Sequence, residues 1–187
     1  YRERKDEKIL NTKYLIQNTG YYLTGGRLAR AKHVDVIVRA CSELGVPLKV
    51  FGRGFAGYEE ELRSLVILEQ DDTKIEFLGE VTDAEKQELM AGAKAFLFAS
   101  QDEDFGIIPV EAMAPGTPVI AYKSGGVKET IVDEKTGLFF DELTVASLQE
   151  AIKKFETMKI RPEDCRKQAE KFGKERFEKE MKAFVSL

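Results

Sequence analysis

The chain holds one histidine, His33, and two cysteines, Cys41 and Cys165, in 187 residues. A lone histidine cannot build a His-rich metal site, and no serine and aspartate partners for a His-based triad can be identified. His33 stands beside Lys32, a place from which it could approach an anion. The two cysteines lie far apart without C-x-x-C spacing, so zinc and disulfide readings are poor and buried, idle thiols are expected. There is no run of 18 apolar residues and no signal peptide. Internal repeats and low-complexity linkers are also missing. The opening YRERKDEK has no methionine, and the chain is expected to be a piece of a longer cytosolic protein. A net charge of −4 argues against a nucleic-acid binder. From Glu150 onward, 11 Lys/Arg stand against 8 Asp/Glu, a weakly basic tail that reads as a solvated helical face. Membrane contact, if any, is expected to be peripheral and at the inner face.

What is present is an ordinary globular composition, 43% hydrophobic and 33% charged, of a length that suits one α/β domain. Short apolar runs alternate with helical patterns. YYLT (21–24) precedes a helix over 34–44, LKVF (48–51) one from about 58, and IEFL (75–78) one opened by Thr82 and Glu85 as a capping box. AFLFAS (95–100), PVIAY (118–122) and GLFF (137–140) continue the series, and helices over about 144–156, 162–172 and 174–185 close it. This β-α-β-α order predicts a Rossmann-like, doubly wound parallel sheet with helices on both faces. The domain is expected to fill 1–187, with its core over about 21–160 and the last helices over about 162–187.

Open parallel sheets bind ligands beyond the carboxyl ends of their strands, so the residues that follow each strand carry the interest. They are Gly25–Gly26–Arg27, Gly52–Arg53–Gly54, Gly79–Glu80–Val81 and Gln101 through Gly106. GGRLARAK (25–32) sets Arg27 and Lys32 at a helix start, which suits a phosphate or diphosphate; two solvated surface charges are the plain alternative. FGRGFAG (51–57) contains G-x-G-x-x-G, the dinucleotide-binding spacing, with Glu76 and Glu80 near the distance of a ribose-binding acid. It follows the second strand rather than the first, and a turn that needs glycine is its bland reading. EDFGIIPVE (103–111) sets Glu103 in a loop and Glu111 in the first turn of a helix that starts near Pro109. The backbone N–H groups of Phe105, Gly106 and Ile107 then point out of that helix N-terminus toward anionic or oxygen-rich ligands. Two carboxylates beside a phosphate repel it unless each accepts hydrogen bonds from hydroxyls. A nucleotide sugar carries both groups and resolves the conflict. A glycosidase also uses two carboxylates but has no use for the cations.

GGRLARAK, FLGEVTDAE and SQDEDFGIIPVEAMAPGTPVIAYKSGGVKETIVDEKTGLFF together resemble the donor-binding, C-terminal half of glycosyltransferase family 4, which has the GT-B fold. EDFGIIPVEAM with TGLFF is most similar to the polysaccharide mannosyltransferases. The resemblance covers Tyr21 to Phe140 and departs at Pro115 and at Ala29 to Ala31. It implies that an N-terminal acceptor domain is absent from this chain. It further implies that Arg27 and Lys32 grip the donor diphosphate and that Glu111 holds the ribose. Glu103 and the amides of Phe105, Gly106 and Ile107 hold the transferred sugar. Gly26, Gly52, Arg53, Gly79 and Val81 border the nucleotide. The reaction it implies is retaining and uses no cofactor or metal, because preorganised cations stabilise the leaving diphosphate. It moves a hexose, with mannose from GDP-mannose favoured, to a glycan or lipid-linked acceptor. Two alternatives stay open on the sequence: an NAD-dependent oxidoreductase built on GRGFAG, and a non-catalytic nucleotide-sugar binding domain.

Overall fold

The structure is a computed structural model that describes residues 20–54, 56–66 and 75–185. Six strands among these residues, β1 (Tyr22–Gly25), β2 (Leu48–Phe51), β3 (Ile75–Gly79), β4 (Phe96–Phe98), β5 (Val119–Tyr122) and β6 (Gly137–Phe140), form one sheet. Every pairing is parallel, in the order β3-β2-β1-β4-β5-β6. The expected doubly wound sheet is what forms. Helices α1 (Val34–Leu44), α2 (Tyr58–Ser64), α3 (Asp83–Gly92), α4 (Ile107–Met113), α5 (Val127–Thr130) and α6 (Val145–Glu156) connect and follow the strands, and α7 (Pro162–Glu170) and α8 (Lys174–Val185) end the described chain.

The alternation of side chains along each strand divides the core in two. Tyr22, Leu48, Val50, Leu97 and Ile120 face α1 and α6, while Leu23, Phe96, Phe98, Val119 and Ala121 face α4 and α7. Both faces are covered, which is why these strands carry apolar residues at consecutive positions. Cys41 and Cys165 are buried one in each half, as idle thiols were expected to be. Burial pushes the Cys165 thiol up to about 12, so it stays protonated at neutral pH.

Local chemistry sets the helix limits. Gly45 ends α1 in a left-handed conformation (φ 64°), its N–H donating to the Cys41 carbonyl. Thr82 and Glu85 form the expected capping box at the start of α3. Thr144 accepts from the Ser147 N–H to start α6, and Pro162 opens α7. One boundary differs from expectation. Helix α4 begins at Ile107, with Gly106 as its N-cap (φ 80°), and Pro109 is its third residue. Proline is tolerated there because the N–H groups of the whole first turn lack intrahelical partners. Glu111 consequently falls in the second turn and not the first.

Candidate functional site

The strand order reverses between β1 and β4, and the segments that leave their carboxyl ends frame a crevice. From β1 comes the stretch Gly26 to His33. Its 3-10 turn, Arg30–Lys32, is closed by the Lys32 N–H on the Ala29 carbonyl (2.8 Å) and the His33 N–H on the Arg30 carbonyl (3.0 Å). Arg30 anchors it to α2, donating to Glu61 Oε1 at 2.6 Å with its guanidinium 5.2 Å from the Tyr58 ring centre. His33 adopts a left-handed conformation (φ 48°) that ends this turn and starts α1.

From β4 comes Ala99 to Gly106. Lys32 Nζ crosses the crevice to donate to Ser100 Oγ at 3.2 Å and to Glu103 Oε2, and Ser100 Oγ donates to the same Glu103 oxygen at 2.8 Å. Ser100 is buried. Partial burial raises the Glu103 pKa, but Lys32, Ser100 and the nearby Arg27 charge overcome it and hold the carboxyl below the usual range. Glu103 is therefore an anion at neutral pH, and its strongest partner is a cation that an incoming anion would also attract.

The loop that holds Glu103 is itself clamped. Ser124 Oγ accepts from the Asp102 N–H and donates to Asp102 Oδ1, each at 3.0 Å, and the Gly126 N–H donates to the Glu103 carbonyl at 2.7 Å. Side chains at Gly125 and Gly126 would overlap the Glu103 and Asp104 backbones, so glycine at both positions permits the close approach. The Phe105 ring meets Phe172 edge-on at 5.4 Å, while Ile107 is largely exposed at the start of α4.

Beside the crevice lies an open cleft of about 960 Å³, lined by Gly26, Arg27, Gly52, Arg53, Val81 and Lys86 among others. Gly52 (φ 115°) packs so tightly that a Cβ would overlap the Gly26 carbonyl oxygen, and its N–H donates to the Gly79 carbonyl at 2.7 Å. Gly54 lies against Glu59, and Gly57 caps α2. Gly52 and Gly54 thus permit close packing and Gly57 a left-handed cap, all in the loop after a strand that lies off the switch point. Glu76 is no part of the cleft: it pairs with Lys49 at 3.4 Å between β3 and β2.

Among the predicted residues, Gly26, Arg27, Gly52, Arg53 and Val81 meet in the cleft wall, with Gly79 behind Gly52. Lys32 and Glu103 meet each other, while Phe105, Gly106, Ile107 and Glu111 stand outside the lining. Glu111 reaches it through Lys86, which no motif in the sequence singles out: Lys86 Nζ lies 3.0 Å from Glu111 Oε1 and 3.4 Å from Asp83 Oδ1. No motif singles out Ser100 or Ser124 either. Contrary to the expectation that no D-x-D metal motif occurs, Asp102–Glu103–Asp104 has that spacing; there Asp102 faces Ser124 and Glu103 faces Lys32. No group of three His, Cys, Asp or Glu among the described residues is placed to hold a metal ion. No helix among them is long and apolar enough to cross a membrane.

The family model described as "Glycosyl transferases group 1" matches residues 6–172. The chain belongs to this family. Its relatives include the glycogen synthase of Chlorobaculum tepidum, 35% identical over 60% of this chain and 24% of the relative. The alpha-1,3/1,6-mannosyltransferase alg-2 of Neurospora crassa is 40% identical over 37% of this chain and 15% of the relative. Among solved structures, the pneumococcal O-GlcNAc transferase GtfA, in complex with UDP and GlcNAc, has the same fold. It aligns with a TM-score of 0.73 at 23% identity, over 91% of this chain and 36% of that one. The chain spans well under half the length of each of these three proteins. In an open parallel sheet of this kind, the crevice where the strand order reverses is where a ligand belongs.

Proposed function

We propose that this chain is the donor-binding domain of a retaining, metal-independent glycosyltransferase that takes a hexose from a nucleotide sugar. Arg27 and Lys32 hold the diphosphate, Glu111 the ribose and Glu103 the transferred sugar, with the amides of Phe105, Gly106 and Ile107 beside it. Gly26, Gly52, Arg53, Gly79 and Val81 border the nucleotide. The observation that carries the reading is the Lys32–Glu103 contact at the reversal of strand order, with the Arg27 charge near enough to help hold the Glu103 carboxyl below its usual range. A cation pair alone would suit any phosphate. A carboxylate held among them requires a ligand whose hydroxyls it can accept from, and a sugar diphosphate has both groups. As the glycosidic bond breaks, negative charge grows on the leaving diphosphate, and fixed cations stabilise it without reorganisation. The acceptor, a glycan or lipid-linked sugar, belongs in this proposal to an N-terminal domain, so residues 1–187 alone bind donor without useful transfer. GDP-mannose is the donor we favour. The wording EDFGIIPVEAM supports it, as does a relative named as a mannosyltransferase. A relative named as a glycogen synthase does not favour it.

The two glutamates provide the test, since their substitutions should separate by ligand. Glu111→Gln should weaken GDP and GDP-mannose alike, by about 1.5–3 kcal/mol for a lost charged hydrogen bond. Glu103→Gln should leave GDP unchanged or slightly tighter, because a competitor for Lys32 is gone, and should weaken only the sugar conjugate. Identical binding profiles for the two variants, measured by calorimetry, would sink this division of labour.

A further inference from the structure

Lys86 is placed where helix electrostatics disfavour it. It is the fourth residue of α3, in the first turn, where the unpaired N–H groups carry partial positive charge and a cation is repelled. The helix start is also held firmly: the Lys86 N–H donates to the Thr82 carbonyl at 2.8 Å, one turn into the Thr82–Glu85 capping box. Something outside α3 has to favour an ammonium at this point. Two carboxylates are near. Asp83, at 3.4 Å, has a side chain 96% exposed and gives little in water. Glu111, at 3.0 Å, is 38% exposed and approaches from α4, while the Lys86 side chain is 22% exposed. Burial alone would lower the Lys86 pKa, yet the two carboxylates raise it above the ordinary value. The ammonium is therefore kept charged.

Glu111 needs a partner as much as Lys86 does. In the second turn of α4 it is beyond the reach of that helix's N-terminus. Its carboxylate is also not part of the cleft lining, whereas Lys86 is. Lys86 thus joins the cleft wall to the carboxylate assigned to the ribose.

We propose that Lys86 is a positioning residue for the ribose subsite: its ammonium holds the Glu111 carboxylate beside the cleft wall in the orientation that accepts from the ribose hydroxyls. The inference rests on the donor-binding reading above. In this arrangement Lys86 does not touch the nucleotide. It fixes one Glu111 oxygen and leaves the other for the ligand.

A double-mutant cycle with a ligand lacking the hydroxyls tests this. The wild type, Lys86→Met, Glu111→Gln and the double variant are titrated calorimetrically with GDP, UDP and the 2′,3′-dideoxy forms of both. The expected result on the ribose diphosphates is a loss of roughly 10- to 100-fold for Glu111→Gln, as above, and of roughly 3- to 30-fold for Lys86→Met. The double variant should lose no more than the worse single one, and Lys86→Arg should recover most of the affinity. On the dideoxy ligands all variants should match the wild type. Melting curves establish that each variant is folded, and Lys86→Arg keeps the charge should Lys86→Met unfold. A Lys86→Met loss that persists on the dideoxy ligands overturns the proposal, because Lys86 would then contact phosphate or base directly. Additive losses, or a silent Lys86→Met, overturn it too. A wild type that binds neither GDP nor UDP overturns the donor-binding reading itself.

Discussion

Arg27 and Lys32 are both cations of the β1–α1 connection, but their surroundings differ. Arg27 is exposed in the cleft wall, and Lys32 is half-buried against Ser100 and Glu103. If both act on a diphosphate, the negative charge of the ligand should decide the size of every substitution effect. Arg27→Ala and Lys32→Ala should each weaken GDP by about 1.5–3 kcal/mol, the worth of a hydrogen bond to a charged group. That corresponds to roughly 10- to 100-fold in affinity. Guanosine, which lacks the phosphates, should bind each variant as it binds the wild type. Equal losses for GDP and guanosine would mean that these side chains merely support the fold. The two cations were legible because they follow a glycine pair at a strand end. Ser100 was not, since its role depends on a lysine 68 residues earlier. Lys86 was hidden in the same way, by a partner 25 residues later.

Among the elements, the strands showed themselves because burial on both faces demands apolar residues at successive positions, and LKVF and GLFF were placed to the residue. The start of α4 was not, because proline fits any position of a first turn, and the error carried Glu111 into the wrong turn. Glycines after strands were visible as a pattern without their purposes. Gly52 and Gly79 separate two such purposes. Both have positive φ, 115° and 70°, but a Cβ at 52 collides with the Gly26 carbonyl while one at 79 meets nothing within 4 Å. Gly79→Ala should therefore cost only the conformational strain, about 1–2 kcal/mol. Gly52→Ala should exceed that by about 1–3 kcal/mol, because backbone must move to admit the methyl group. Urea denaturation of the two variants measures the difference. Equal losses would show that the β2 loop is free to shift away from the β1 loop, and that the cleft wall is softer than its packing indicates.

At the scale of the molecule, the sheet places four loop ends on one edge, and the reversal between β1 and β4 selects two of them for the crevice. The sequence pattern predicted which residues reach that edge. It did not predict that Lys32 and Glu103 would close on each other across the crevice, or that Glu111 would be tied to α3. Those are contacts between distant segments and become visible only once the strand order is known. The same order answers the dinucleotide spacing of residues 51–57, which lies one strand away from the reversal. The central claim is that this edge holds a nucleoside diphosphate through fixed cations. Calorimetric titration of residues 1–187 with GDP, UDP, ADP and NAD, each with and without EDTA, tests it most directly. The account predicts saturable binding of nucleoside diphosphate, tightest for GDP, no measurable binding of NAD, and identical isotherms with the chelator. Tighter binding of NAD than of any nucleoside diphosphate, or loss of diphosphate binding on chelation, would contradict it.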